Sequence, residues 1–313
     1  MKKAIVTGAN GFIGRFMVRE LVANNVDVIA VGRVNADWRS IENLPIRRIE
    51  CDLSNIFSIP DMIADRDIDC VFHVAWQGVS GTNAQSYDVQ LNNVRYTLEL
   101  IEAVHRMNIP TFLITGSIHE YEAKIEMNSG VTISNLGNMY KTAKLAAHWM
   151  GKALAGNYGI KFFCPLIINA YGEEENSARL INSLVRNILN GTSPDLSEGT
   201  QLYDFVHVSD VAHALYLIAE KGVDGKEYTI GSGHAKPLRD LLVEAGDIVN
   251  EIKGGPKIPL GFGRHKGKAI SLPKEVFDTS ELVRDTGFTP SISFKEGIQR
   301  TVKWITKDVV NKI

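Results

Sequence analysis

Apolar residues fall in short blocks separated by helical stripes. Ala4-Ile5-Val6 stops at Thr7-Gly8, and a stripe of helical period then runs to about Ala23. The alternation repeats through the first half: Val26–Val31, Arg47–Cys51, Cys70–Ala75, Thr111–Thr115 and Lys161–Ile168 read as strands. Long helical patterns cover about Asn83–Met107 and Met139–Asn157. Strands alternating with helices predict right-handed βαβ crossovers and an α/β fold, a doubly wound parallel sheet. Ligands of such sheets lie off the carboxyl ends of the strands. Polar and glycine residues gather there: Gly8–Gly14, Gly32-Arg33, Asp52, His73–Gly78, Thr115–Glu120 and Asn169–Gly172.

After Gly172 the pattern loosens. Helices are expected over about Ala178–Asn190, Ser209–Lys221 and Pro237–Asn250, with short strands at Tyr203–His207 and Glu227–Ile230. A Gly/Pro/Ser-rich loop covers Gly191–Gly199, the Gly/Pro/basic stretch 253–273 reads as another loop, and helices near Thr279–Asp285 and Phe294–Thr306 close the chain. The expected division is a domain carrying the parallel sheet over 1–172, rejoined by 203–222, and a smaller mixed α/β lobe mainly over 173–313.

Composition narrows the function. A formal net charge of −2 over 313 residues gives no electrostatic case for nucleic acid or an anionic membrane. The three scattered cysteines, Cys51, Cys70 and Cys164, read as buried thiols of a reducing compartment, and no spacing suggests a metal site. No apolar run reaches 18 residues and the first strand begins at once, so a cytoplasmic protein with no membrane partner is expected.

Two stretches carry candidate chemistry. Gly8, Gly11 and Gly14 lie in a strand-to-helix turn, where backbone N–H groups and a positive helix end suit a pyrophosphate. Gly8 allows the turn, Gly11 a close approach, and Gly14 tight helix–strand packing. The spacing is GxxGxxG rather than GxGxxG. Tyr140 and Lys144, four apart on a helix, face one side. An ammonium beside a phenol favours phenolate, so Tyr140 could exchange a proton with a carbonyl or alcohol near neutral pH. Ser117 ends its strand at the ligand edge, where a hydroxyl could meet the same oxygen. Arg33, 19 residues past Gly14, offers a guanidinium that fits a phosphate bidentately.

The three glycines, Asp52-Leu53, His73-Val74-Ala75, Asn92-Asn93-Val94, Ser117 four residues before Tyr121, Tyr140 with Lys144, Asn169-Ala170-Tyr171-Gly172 and Asp204-Phe205-Val206-His207-Val208-Ser209-Asp210-Val211-Ala212 share an order. That order and spacing resemble the extended short-chain dehydrogenase/reductases, the NAD(P)-dependent sugar epimerase/dehydratase family, over essentially the whole chain. The resemblance implies a Rossmann-type sheet and a nucleotide-sugar substrate. It implies Tyr140 as acid/base, Lys144 on the nicotinamide ribose and Ser117 on the substrate oxygen. It further implies a dinucleotide held by the turn Gly8, Asn10, Gly11, Phe12, Ile13 and Gly14, with Asp52 and Leu53 beside adenine, and Arg33, where NAD-binding members usually hold an acidic residue, favours NADP(H) and leaves NAD(H) open. Ala75 would lie near the pyrophosphate, Asn93 would support the site, and Asn169 would face the sugar nucleotide. His119 and Arg179 are further substrate candidates. A homodimer through the helices near 83–107 and 139–157 is implied as well.

Departures from the family pattern select among reactions. Dehydratases carry an Asp-Glu pair where this chain has Ile118-His119, and 3,5-epimerase/reductases need a cysteine at Ile118 and a histidine where Glu173-Glu174-Glu175 stands. Oxidation or reduction at one sugar carbon needs only Ser, Tyr and Lys. Ala178–Ile181, Gly199–Gln201, Tyr228–Gly233 and Lys236–Arg239 look like the subgroup that reduces nucleotide-linked 4-keto-6-deoxyhexoses, such as CDP-abequose and dTDP-fucose synthases. A UDP-sugar 4-epimerase with tightly held NAD and a non-catalytic dinucleotide sensor are the alternatives. Family arginines are replaced by Tyr203 and Leu166, and His265 and Lys266 could substitute for them.

Overall fold

The computed structural model describes residues 1–128, 135–266 and 271–310, and the chain divides into two compact units. The first holds Met1–Ile167, Ala212–Ile230 and Ser280–Phe288. Its strands are β1 (Lys3–Thr7), β2 (Asp27–Gly32), β3 (Ile46–Glu50), β4 (Cys70–His73), β5 (Thr111–Ile114), β6 (Gly116–Ser117), β7 (Lys161–Phe163) and β8 (Leu166–Ile167). Six of them form one parallel sheet in the order β3-β2-β1-β4-β5-β7. The order reverses between β1 and β4, which puts the crevice off the ends of those two strands, at Gly8 and Ala75. Ala4–Thr7, Cys70–His73 and Thr111–Ile114 are buried at every position, as strands covered on both faces must be. At the edge, β3 exposes Arg47, Arg48 and Glu50, which explains its weak apolar signal.

The helices of this unit are α1 (Phe12–Ala23), α2 (Ile59–Met62), α3 (Gly81–Ala84), α4 (Tyr87–Arg106), α5 (His119–Asn128) and α6 (Asn138–Asn157). The α4 residues Val94, Leu100, Ile101 and Val104 and the α6 residues Ala143, Ala147 and Ala155 pack into one cluster with Ile5, Val71, Phe112 and Phe162. Three expectations are corrected here. The helix expected over about 83–107 is two, because the Ser86 hydroxyl accepts from the Val89 N–H (3.4 Å) and starts α4 afresh. The strand expected over 161–168 breaks at Pro165, which has no N–H for a ladder; β8 instead joins a small parallel sheet with β6 and Thr229–Ile230. The polar segment of α5 was not expected to be helical at all, since its inward residues are Glu120 and Ala123.

The second unit holds Ile168–Val211, Gly231–Thr279 and Thr289–Ile313. Its core lies between helices Leu180–Leu189, Leu238–Lys253 and Phe294–Val310, through Leu184, Val185, Ile188, Leu241, Ala245, Val249, Ile298 and Val302. The strand expected over 203–207 is two. Leu202–Tyr203 pairs antiparallel with Lys236–Pro237, and Val206–His207 pairs parallel with Ala170–Tyr171. Between them the Asp204 carboxylate accepts from the Ser232 N–H (2.8 Å) and Gly233 N–H (3.2 Å). The stretch expected to be a loop contains the strand Gly261–Phe262, and its residues 267–270 lie outside those described. Against the boundaries drawn at 172 and 203–222, the division falls at 167 and 212–230. It adds Ser280–Phe288 to the first unit, where Asp285 accepts from Tyr228 (2.9 Å) and Lys226 (2.6 Å). Among the described residues no helix is long and apolar enough to cross a membrane.

Candidate active site

The glycine turn is built by packing. Gly8 has a φ of +69°, and its carbonyl accepts from the Gly11 N–H at 2.8 Å. A Cβ on Gly8 would stand 2.8 Å from the Ala75 backbone, and one on Gly14 would stand 2.0 Å from the Gly8 carbonyl oxygen. Those two positions therefore exclude any side chain. Gly11 is exposed, and a Cβ there would meet only the Gly8 oxygen at 3.1 Å. No side chain caps α1 and no acidic residue lies in its first turn, so the positive helix end stays available to an anion. Arg15 lies against the turn, donating to the carbonyl of Asn10 (2.6 Å). Phe12 and Ile13 are half-buried as α1 starts. This cradle fits a dinucleotide pyrophosphate.

The neighbouring strand ends complete the candidate cofactor side. A Cβ on Gly32 would touch the Trp38 ring (2.7 Å) and the Asn10 side-chain oxygen (3.0 Å), so β2 ends against both. Arg33 is exposed, and its guanidinium has no ion pair or hydrogen-bond partner among the described residues. Asp52 accepts from the Val34 N–H (3.3 Å), and Leu53 beside it is buried. The loop carrying Ala75 and Trp76 is held by two buried side chains of α4. Asn93 accepts from the Gln77 N–H (2.9 Å) and donates to its carbonyl (2.8 Å). Gln90 accepts from Trp76 Nε1 (3.0 Å) and donates to the Gly78 carbonyl (2.9 Å).

The structure brings Ser117, His119, Tyr140 and Lys144 to one region of this unit. Lys144 Nζ donates to the Thr115 carbonyl (2.8 Å) and sits 3.9 Å from the centre of the Trp76 ring. Burial pulls the Lys144 ammonium down to about 8, against the opposing pull of Cys164 and Glu120. The Tyr140 ring makes edge contacts with Trp76 (6.2 Å between centroids) and His119 (5.9 Å). Ser117 is buried, and its hydroxyl accepts from the His119 N–H (3.3 Å). His119 Nδ1 lies 2.9 Å from Glu122. Burial raises the Glu122 carboxyl, but its bonds to His119 and Lys141 leave it below the usual range. His73 lies between Thr7 (2.7 Å) and Thr97 (3.2 Å), and burial together with the charge of Lys144 lowers it to about 3, a neutral core histidine. All three cysteines are buried and free, and burial pushes each thiol up.

Asn169 and Arg179 belong to the second unit. Asn169 donates to the Asp204 carbonyl (3.1 Å), and Arg179 pairs with Glu175 (3.2 Å) at the start of helix Leu180–Leu189. His265 and Lys266 are exposed there, and Leu166 is buried in β8 of the first unit. Four residues escaped the sequence reading. Trp76 and Gln90 gave no local signal. Nor did Glu120 and His148: His148 lies one helical turn beyond Lys144, and its Nδ1 is 2.8 Å from a carboxylate oxygen of Glu120. With Cys164 they form a buried group whose ligand-type atoms lie within 4.8 Å of one another.

A Rossmann-like sheet with a glycine turn at its switch point and a Tyr–Lys pair on the adjoining helix defines the class. The chain belongs to the NAD-dependent epimerase/dehydratase family, whose model matches residues 4–231. It is 23% identical to the dTDP-glucose 4,6-dehydratase of Neisseria gonorrhoeae, covering 97% of this chain and 95% of that protein. Among solved structures it resembles the UDP-N-acetylglucosamine 4-epimerase of Methanobrevibacter ruminantium in complex with UDP-N-acetylmuramic acid, with a TM-score of 0.79, 25% identity and coverage of 98% and 99% of the two chains. It also resembles Bordetella bronchiseptica WbmF in complex with NAD+, with a TM-score of 0.76, 21% identity and coverage of 99% and 94%.

Gly14→Ala should destabilise the fold by about 2–3 kcal/mol in urea unfolding through overpacking. Gly11→Ala should leave stability within about 1 kcal/mol while weakening dinucleotide binding about tenfold by calorimetry. Equal effects of the two substitutions would contradict the packing assigned to the turn.

Proposed function

We propose that this protein is an NADPH-dependent reductase that converts a nucleotide-linked 4-dehydro-6-deoxyhexose, carried on dTDP or CDP, to the 6-deoxyhexose. The observation that carries the reading is Tyr140 and Lys144 on one side of α6, gathered with Trp76, Thr115 and Ser117. A reduced nicotinamide, when bound, supplies a hydride to the sugar carbon. The chain's own groups handle the oxygen. Ser117 donates a hydrogen bond to the ketone oxygen and orients it. Tyr140 transfers its phenolic proton to that oxygen, and the Lys144 ammonium stabilises the phenolate left behind.

The turn Gly8–Gly14 with Asn10, Phe12 and Ile13 would hold the pyrophosphate. Asp52 and Leu53 would flank adenine, and Ala75 and Asn93 would position the loop against the ribose. Arg33 supports NADP(H), since an unpaired guanidinium at the end of β2 suits a 2′-phosphate. His119, Asn169 and Arg179 are assigned to the nucleotide sugar. Elimination of water across two sugar carbons is disfavoured, because Ile118, at the acid position of the dehydratases, is a buried apolar side chain.

The second reading is a UDP-sugar 4-epimerase with retained NAD. The epimerase likeness and the NAD+ complex of WbmF favour it. A silent dinucleotide sensor has less support, since Tyr140 and Lys144 are both present. The proposed homodimer would pair α4 and α6 with their mates. Tyr87 and Leu91 expose one apolar face of α4, and Trp149 and Met150 are exposed on α6.

The wild-type protein should consume NADPH with dTDP- or CDP-4-keto-6-deoxyglucose. Turnover of UDP-galactose without net NADPH use would favour the epimerase. Tyr140→Phe should lower kcat on the order of 10³-fold with dinucleotide binding nearly intact; undiminished turnover would remove Tyr140 from its role. Arg33→Asp should weaken NADP(H) about tenfold more than NAD(H), and equal losses would refute the cofactor assignment. Trp149→Lys should convert a two-chain mass in light scattering to one, whereas a wild-type monomer would contradict the pairing.

A further inference from the structure

We propose that Glu120 and His148 are positioning residues. In this inference, which rests on the reductase reading, a buried carboxylate–imidazole pair ties Ser117 to the helix bearing Tyr140 and Lys144 and gives the Lys144 ammonium its countercharge.

Glu120 is fully buried, and both of its carboxylate oxygens are used. Oε1 accepts from the Ser117 N–H at 2.9 Å, and Oε2 lies 2.8 Å from His148 Nδ1, which is also buried. The two bonds run in opposite directions through the fold. One holds the backbone of β6, whose hydroxyl would orient the substrate. The other reaches α6 one turn past Lys144 and two turns past Tyr140, on the same helical face. A single side chain therefore fixes the distance between the strand end and the helix. The Lys144–Thr115 bond is a second tie between the same two elements. His148 is itself wedged by ring stacking on Phe162 (6.3 Å between centroids).

Charge gives the pair a second task. A buried ion is disfavoured without an opposite charge nearby. Lys144 is such an ion; the groups of packed elements that act with it are Cys164 between β7 and β8, Glu120 of α5 and His73 of β4, and on its own helix Tyr140 and His148 stand one turn to either side. His73 is held neutral by burial and the Cys164 thiol is pushed well above its usual range, and of the groups that oppose burial at Lys144 Glu120 is the carboxylate. Glu120 indeed acts to hold the Lys144 ammonium up against burial. A phenolate formed at Tyr140 during turnover needs that ammonium, so the carboxylate acts on the reaction through Lys144 without touching the substrate.

Two variants separate the tasks. Glu120→Gln keeps shape and hydrogen bonding but removes the charge, and His148→Gln keeps the charge but loosens the tie. Competitive acylation of the folded full-length protein, read by mass spectrometry from pH 6 to 10, gives the Lys144 midpoint without turnover. Glu120→Gln should move that midpoint down by about one pH unit, carry the alkaline limb of kcat with it, and change the KM for dinucleotide less than about threefold. His148→Gln should hold the midpoint and lower kcat about tenfold. An unmoved midpoint in folded Glu120→Gln overturns the countercharge, and an unchanged kcat in His148→Gln overturns the tie. If Glu120→Gln does not fold, His148→Gln still decides the positioning role. A wild type that reduces no nucleotide-linked ketosugar would sink the reductase reading, while the Lys144 midpoint would still test the charge relation.

Discussion

A lysine ammonium buried in a protein interior is costly, and the candidate site is arranged around one. Lys144 is withdrawn from water against the Trp76 ring and donates a hydrogen bond to the Thr115 carbonyl, and the fully buried Glu120 carboxylate acts to hold its charge against burial. The ring comes from the loop after β4, and the carbonyl and carboxylate come from the segment 115–120. Each must be in place before the ammonium can be tolerated, so the Tyr140–Lys144 face of α6 is set by tertiary structure rather than by helix spacing alone. A lysine brought down to about 8 by burial is also one that responds to charge change next door.

The cofactor side depends on a different constraint, close packing of backbone. Gly8 against Ala75 and Gly14 against the Gly8 carbonyl leave no room for a methyl group. The sheet-order reversal between β1 and β4 puts Gly8 and Ala75 side by side. Gln90 and Asn93 then hold the loop beyond Ala75 by its own backbone polar groups. The glycine turn and the Trp76 loop are thus one assembly, and Trp76 carries that assembly to Lys144 and Tyr140.

Much of this was legible in the chain. Strands covered on both faces write continuous apolar runs, so β1, β2, β4 and β5 could be read directly, and with them the fold class. The edge strand β3 could be read only faintly because three of its five residues face water. What failed were junctions. Pro165 and Ser86 mark breaks whose consequences appear only once a partner strand or a capped helix turn is present. The site divided the same way. Glycines, tyrosine and lysine stand out as candidates by spacing, since each pattern is local to one turn or one helix. Glu120 and His148 meet across 28 positions, and an inward glutamate on a polar helix looks like an ordinary surface residue until the fold is formed. Trp76 likewise looked like one apolar residue after a strand, and its role depends on what α6 brings to it.

The central claim is that the Tyr140–Lys144 face of α6 and the glycine turn serve one bound dinucleotide. A crystal structure of the protein soaked with NADPH tests it most directly. The account requires the pyrophosphate at the Gly8–Gly14 turn, with Lys144 and the Tyr140 hydroxyl both within hydrogen-bond reach of the nicotinamide ribose. A dinucleotide seated at the turn with those two side chains directed away from its nicotinamide end would contradict it.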